Sequence, residues 1–161
     1  MLTKQKVVLK NLGIINYNII FFRMEVSMNK FYKEICKYYE DIFPTNEAQL
    51  TFLNNISDGK DYLDIGCATG LVAKNLENLG KNVTCIDLEE SMVEEARKKG
   101  LKVYEKNMLE LDFEEKFDVC YCIGTTIAHL EDINQICSFI LKTMDLLKEN
   151  GKLVLSWINF K

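Results

Sequence analysis

Proline is almost missing from this chain: Pro44 stands alone in 161 residues, and His129 and Trp157 are the single histidine and tryptophan. With so few forced breaks, regular elements can run through most of the sequence. One histidine excludes the imidazole clusters of zinc enzymes. Positive charge is also in deficit, with 20 Lys and Arg against 24 Asp and Glu, a net charge of −4 and a pI near 5.2. A dedicated nucleic-acid binder carries a basic face, so no nucleic-acid partner is expected. No run approaches the roughly 20 apolar residues needed to cross a bilayer, so no membrane partner is expected. The apolar pieces Val7-Val8-Leu9 and Ile19-Ile20-Phe21-Phe22 are separated by Lys10, Asn11, Asn16 and Asn18, and no small-residue cleavage site follows.

Cysteine is present, but not in the patterns that would give it a role. Cys36, Cys67, Cys85, Cys120, Cys122 and Cys137 include no C-x-x-C pair, and most fall within apolar strand or helix patterns. They read as buried free thiols in a reducing cytoplasm. Cys120 and Cys122 would face one side of a strand, yet a zinc site needs further ligands, so no metal is expected.

What is present is one organising stretch, Tyr62-Leu63-Asp64-Ile65-Gly66-Cys67-Ala68-Thr69-Gly70, followed by the helical pattern Leu71-Val72-Ala73-Lys74-Asn75-Leu76. A buried-type strand enters a turn with glycine at both ends and leaves as a helix. Gly66 and Gly70 can take positive φ and bring backbone close to a ligand. Such a unit opens an α/β sheet whose ligand lies beyond the carboxyl ends of its strands. The turn lacks the G-x-G-x-x-G of dinucleotide sites and the Lys-Ser/Thr of a P-loop. Asp87, which ends the next strand 21 residues after Gly66, can accept hydrogen bonds from both hydroxyls of a ribose. It can equally cap the following helix. Met92 fits either an adenosine face or the core.

The remaining pattern supplies strands at 82–87, 101–104, 117–124 and 153–158, with residues 149–152 as the turn into the last. Helices are expected at 91–99 and 132–148, the second burying Ile133, Ile136, Ile140, Met144 and Leu147. Upstream, Phe31, Ile35, Tyr38, Tyr39 and Ile42 form an aromatic stripe suited to core packing. Beyond Pro44, capped by Thr45 or Asn46, comes a helix carrying Leu50, Phe52, Leu53 and Ile56.

Asp64-x-Gly66-x-Ala68-x-Gly70 resembles motif I of the class I S-adenosylmethionine-dependent methyltransferases, with Ala68 where many members have glycine. The block 117–130 resembles motif IV of small-molecule members, including the glycine and sarcosine N-methyltransferase type. The segment around Asn150-Gly151 resembles the family's late strand motif. The resemblance implies a Rossmann-like, doubly wound, mostly parallel sheet of five strands in the order 3-2-1-4-5 with flanking helices. It implies S-adenosyl-L-methionine as cofactor, bound by Asp64, Gly66, Cys67, Ala68 and Gly70 of the turn, Asp87, Leu88 and Met92 beyond the second strand, Asn107 and Met108 beyond the third, and Cys122 on the fourth. It also places Tyr32 or Tyr39 at the border of the site.

The implied activity is methyl transfer to a small-molecule acceptor by in-line displacement, which needs alignment more than a dedicated catalytic residue. His129 is the candidate base, with a purely structural role as the alternative. With no activated base or metal in the pattern, an amine acceptor is favoured over a hydroxyl. The family's two further strands are not represented, so the domain at 28–161 is expected to be incomplete and the edge of the fifth strand open to a partner or a second copy. Residues 1–27 read as a leader, with translation expected to begin at Met28. A non-catalytic cofactor-binding domain and a nicotinamide-dependent oxidoreductase are the rival readings.

Overall fold

The structure, a computed structural model, describes residues 28–156. The readings placed on residues 1–27, Trp157 and Ile158 lie outside the described residues. Five parallel strands form one sheet: β1 (Asp61–Ile65), β2 (Asn82–Asp87), β3 (Lys102–Glu105), β4 (Phe117–Cys122) and β5 (Leu147–Leu155). Their order is β3-β2-β1-β4-β5, as the resemblance implied. The crossovers carry α4 (Leu71–Asn78), α5 (Glu90–Lys98) and α6 (Ile133–Asp145), while α1 (Met28–Ile35), α2 (Tyr39–Ile42) and α3 (Glu47–Asn55) precede the sheet.

Because successive side chains of a strand point to opposite faces, β1 feeds two cores at once. Tyr62 packs with Val83, Cys85, Val119 and Tyr121 under α3, α4 and α5, whereas Leu63 and Ile65 pack with Ile86, Cys120, Cys122 and Phe139 of α6. Cys120 and Cys122 do share a face, where both are fully buried. All six cysteines are free, but Cys137 on α6 is exposed, so burial holds for five of them.

Three expectations about faces and ends are corrected. The aromatic stripe is not core: Phe31, Tyr38 and Ile42 are exposed, because a 3₁₀ segment (Cys36–Tyr38) separates α1 from α2 and turns the helical phase, so that Cys36 is the buried residue. In α6 the buried positions are Phe139 and Thr143, with Leu146 just beyond, while Ile133 and Met144 remain 67% and 55% exposed. The apolar residues of the helix spread beyond its buried face to the exposed Ile133, Leu141 and Met144, and that inner face is disguised by Thr143, whose hydroxyl donates to the Phe139 carbonyl (2.7 Å) and so can be buried. Finally, residues 149–152 are a bulge within β5. From Phe117 to Val119 β4 advances two residues, while β5 advances five, from Leu147 to Lys152. Asn150 takes φ +62° there. A Cβ at Gly151 would lie 3.0 Å from the Phe117 carbonyl oxygen.

Asn46, as expected, caps α3, accepting from the Gln49 N–H. No other strand among the described residues pairs with the outer side of β5. None of the described helices is long and apolar enough to cross a membrane.

The assignment of the inner face of α6 predicts that Phe139→Ala lowers unfolding free energy by about 3–5 kcal/mol, whereas Met144→Ala costs about 0.5 kcal/mol or less. Urea midpoints at constant slope measure both. Equal losses would contradict that facing.

Candidate functional site

The sheet order reverses at β1, whose neighbours β2 and β4 leave in opposite directions, and a crevice opens beyond the strand ends at this point. A cavity of about 170 Å³ lies there. The glycine turn contributes Gly66 and Ala68; the end of β2 and start of α5 contribute Asp87, Leu88, Glu89 and Met92. Lys106, Asn107 and Met108 arrive after β3, and Thr126 and His129 from the short helical turn after β4. Tyr32 and Tyr39 come from the N-terminal helices.

The turn is clamped to β2 by its own backbone. The N–H groups of Gly66 and Cys67 both donate to the Ile86 carbonyl (2.9 and 3.0 Å), and that of Ala68 donates to Asp87 Oδ2 (2.8 Å). Gly66 and Gly70 have φ of +78° and +76°, and Ala68 itself is left-handed at +48°. The two glycines serve different neighbours. A Cβ on Gly66 would lie 2.3 Å from Thr126 Cγ2 at the cavity wall, whereas one on Gly70 would lie 2.3 Å from Leu101 Cδ1, away from it.

Asp87 performs both jobs open to it. Its Oδ1 accepts from the Glu89 N–H (3.0 Å), shaping the entry to α5, while its carboxylate still faces the cavity. Burial pushes its acid upward, against the lowering influence of the N–H groups of Glu89, Ala68 and Leu88. Asn107 Oδ1 accepts from the Leu109 N–H (2.9 Å), which fixes the side chain at the end of β3. The Lys106 ammonium is paired with Asp112.

The N-terminal helices are fastened over the cavity at two points. Glu40 of α2 accepts from the Thr69 hydroxyl (2.9 Å) and pairs with Lys99 (2.7 Å), whose ammonium also donates to the Thr69 carbonyl. At the other end, Tyr32 Oη and His129 Nε2 lie 3.0 Å apart, with the rings edge to face. Burial pushes the Tyr39 phenol up to about 12, so it remains a hydroxyl at neutral pH.

Of the residues assigned from sequence, Gly66, Ala68, Asp87, Leu88, Met92, Asn107, Met108 and His129 line this one cavity. Asp64, Cys67, Gly70 and Cys122 do not. Cys67 and Cys122 point into the two cores, and Gly70 packs on Leu101. Asp64 is 2% exposed beneath the turn; Tyr121 Oη donates to its Oδ2 (2.9 Å) while its Oδ1 has no partner among the described residues. Burial, with a smaller push from Asp87, raises its acid to about 8 despite the Tyr121 bond. Ile86, Glu89, Lys106 and Thr126 also line the cavity and were not foreseen. The first three adjoin residues already assigned at strand ends, which was the available signal. Thr126 comes from a loop whose path the sequence does not encode legibly.

A family described as a methyltransferase domain matches residues 63–151. The chain belongs to that family. A ubiquinone biosynthesis O-methyltransferase of Rickettsia conorii is 34% identical over 119 residues, covering 70% of this chain and 40% of the relative. A mitochondrial enzyme of the same name from Schizosaccharomyces pombe is 31% identical over 129 residues, covering 71% and 46%. The chain thus spans less than half the length of these curated relatives. The CcbJ methyltransferase of Streptomyces caelestis shares the fold at a TM-score of 0.69 and 22% identity, covering 77% of this chain and 56% of that one. A TehB-like methyltransferase of Corynebacterium glutamicum does so at 0.68 and 16%, covering 80% and 72%.

Two outcomes test the turn and its buried acid. Relief of the left-handed Ala68 makes Ala68→Gly neutral or stabilising by up to about 1 kcal/mol, whereas Gly70→Val, forced against Leu101, costs about 2 kcal/mol or more; urea denaturation reads both. Asp64 ordinarily ionises near 3.8 when exposed and holds its proton to about 8 in the fold. Between those values the native state binds more protons than the unfolded chain, so stability declines as pH rises from about 4 to about 8 and then levels. Asp87, also shifted upward, acts in the same sense. Thermal midpoints should therefore fall over that window, less steeply in Asp64→Asn; identical slopes in the two proteins would contradict the assignment.

Proposed function

We propose that this chain binds S-adenosylmethionine in the crevice and transfers its methyl group to a small-molecule acceptor. The observation that carries the reading is the convergence of Gly66, Asp87 and Asn107, from three neighbouring strand ends, on one cavity. The residues fit a cationic cofactor better than a dinucleotide. Asp64 Oδ1 is buried without a partner and Asp87 faces the cavity without an ion pair among the described residues. The cavity's one lysine, Lys106, is already committed to Asp112, which leaves no cationic cradle for a pyrophosphate.

In this reading Asp87 accepts from the ribose hydroxyls through the lone pairs that Ala68 and Glu89 leave available, and Asn107 and Met108 border the purine. When bound, the cofactor supplies a methyl group on a sulfonium for in-line displacement. Tyr32 and Tyr39 exclude water from above, and the tie from Tyr32 to His129 fixes the imidazole at the acceptor side. His129 then takes the proton that a hydroxyl acceptor must lose. This pair, brought together across 97 residues of sequence, is what the amine preference lacked, and the acceptor proposed is a small molecule bearing a hydroxyl. The relatives named O-methyltransferases support that choice, and give none to the glycine and sarcosine type. The free thiols suit a reducing cytoplasm.

Calorimetric titration tests the reading, with saturable binding expected for S-adenosylmethionine and its demethylated product and none for NAD. Asp87→Ala should weaken binding at least tenfold; unchanged affinity would refute the ribose contact. His129→Asn should lower turnover of hydroxylated acceptors about 100-fold or more with cofactor affinity retained. Full turnover in that variant would remove His129 from the mechanism.

A further inference from the structure

We propose that Asp64 is a proton store for the cofactor site: a neutral carboxylic acid in the cofactor-free protein, it ionises when the cationic cofactor binds, so that one proton leaves for each cofactor taken up. The inference rests on the reading of the crevice as an S-adenosylmethionine site and adds a coupling which that reading does not require.

The argument begins with what surrounds the carboxyl. Asp64 is the fourth residue of β1, two residues before Gly66, and almost completely shielded from water. Among the described residues only Tyr121 of β4 donates to it, and only to Oδ2. No lysine, arginine or histidine of the described residues pairs with it. Among the described residues, the titratable groups that face it are Asp87 and Cys85 from β2, Cys67 from the turn, Tyr39 from α2, and Tyr121 and Cys122 from β4, and none carries positive charge. A carboxylate in such surroundings lacks both the cation and the donors that make a buried charge tolerable.

Asp87 shows the contrast. It accepts two backbone N–H bonds, from Ala68 and Glu89, and so can remain an anion while Asp64 beneath it stays neutral. Two negative charges this close, one of them with a bare oxygen, are disfavoured together. Asp64 is thus the member of the pair that holds the proton, in accord with the upward shift to about 8.

The cofactor brings a fixed sulfonium charge and an α-ammonium whose charge its own α-carboxylate offsets, so its net charge is positive. Positive charge arriving within two strand residues of Asp64 favours its ionised form, and the proton passes to solvent: Asp64-COOH and the cofactor become Asp64-COO⁻, the bound cofactor and H⁺. Below the acid's own ionisation range, affinity should then rise about tenfold for each unit of pH, the slope expected when one proton is exchanged.

The test is calorimetry of the full chain with S-adenosylmethionine at pH 7 in phosphate, HEPES and Tris, whose ionisation enthalpies differ. The observed enthalpy should vary linearly with buffer enthalpy, with a slope of about one proton released, declining toward zero by pH 9.5. Asp64→Asn should still bind, without the release. Tyr121→Phe removes the one donor among the described residues and should extend the release to higher pH, which keeps the test open if the asparagine variant does not fold. Absence of binding in any buffer would sink the cofactor reading itself. Binding with zero slope, or a slope retained in Asp64→Asn, would overturn only the proton store.

Discussion

Three backbone N–H groups of one turn fasten it to the end of the neighbouring strand, and the geometry of the whole site follows. Gly66 and Cys67 donate to the Ile86 carbonyl while Ala68 donates to the Asp87 carboxylate. The chain must reverse within a few residues to reach those acceptors, which is why Gly66, Ala68 and Gly70 all have positive φ. The same clamp holds Asp87 at the cavity wall and, through Glu89, directs α5 so that Met92 meets that wall. The result is rigid backbone at the switch point of the sheet, where an open α/β fold places its ligand.

Electrostatics divides the labour between two neighbouring carboxyls. Asp87 is solvated by backbone donors and serves as an acceptor; Asp64, with one phenol for company, is the uncharged partner. Buried groups whose protonation is pushed away from the ordinary range concentrate at functional sites, and here both lie within one turn of the crevice. A cationic ligand is the natural complement of such a pair. The roof is fastened separately, by Glu40 to Lys99 and Thr69 at one end and by Tyr32 to His129 at the other, so the aromatic cover is tied both to the turn beneath it and to the loop after β4.

The order of the sheet came from the resemblance to the methyltransferases; its strands were legible because β1, β2 and β4 are short apolar runs bounded by glycine and charged residues. Asp87 and Asn107 were legible for the same reason: a strand end is a fixed place. Faces were less so. The inner side of α6 was misread because Thr143 buries a hydroxyl by returning it to its own helix, and because Ile133 and Met144 look like core residues but are exposed. The N-terminal stripe was misread because the 3₁₀ step at Cys36 breaks the period on which the reading relied. Gly70 resembled a ligand glycine, yet its neighbour is Leu101. No local pattern predicts the Tyr32–His129 contact, since it joins segments 97 residues apart.

The most direct measurement of the central claim is a residue-resolved amide NMR titration with S-adenosylhomocysteine. The account predicts that perturbations concentrate at Ala68, Leu88, Glu89 and Met108, with slower amide exchange at Gly66 and Cys67. Saturable binding that leaves these amides unmoved and perturbs another surface, or no perturbation at millimolar ligand, would contradict it.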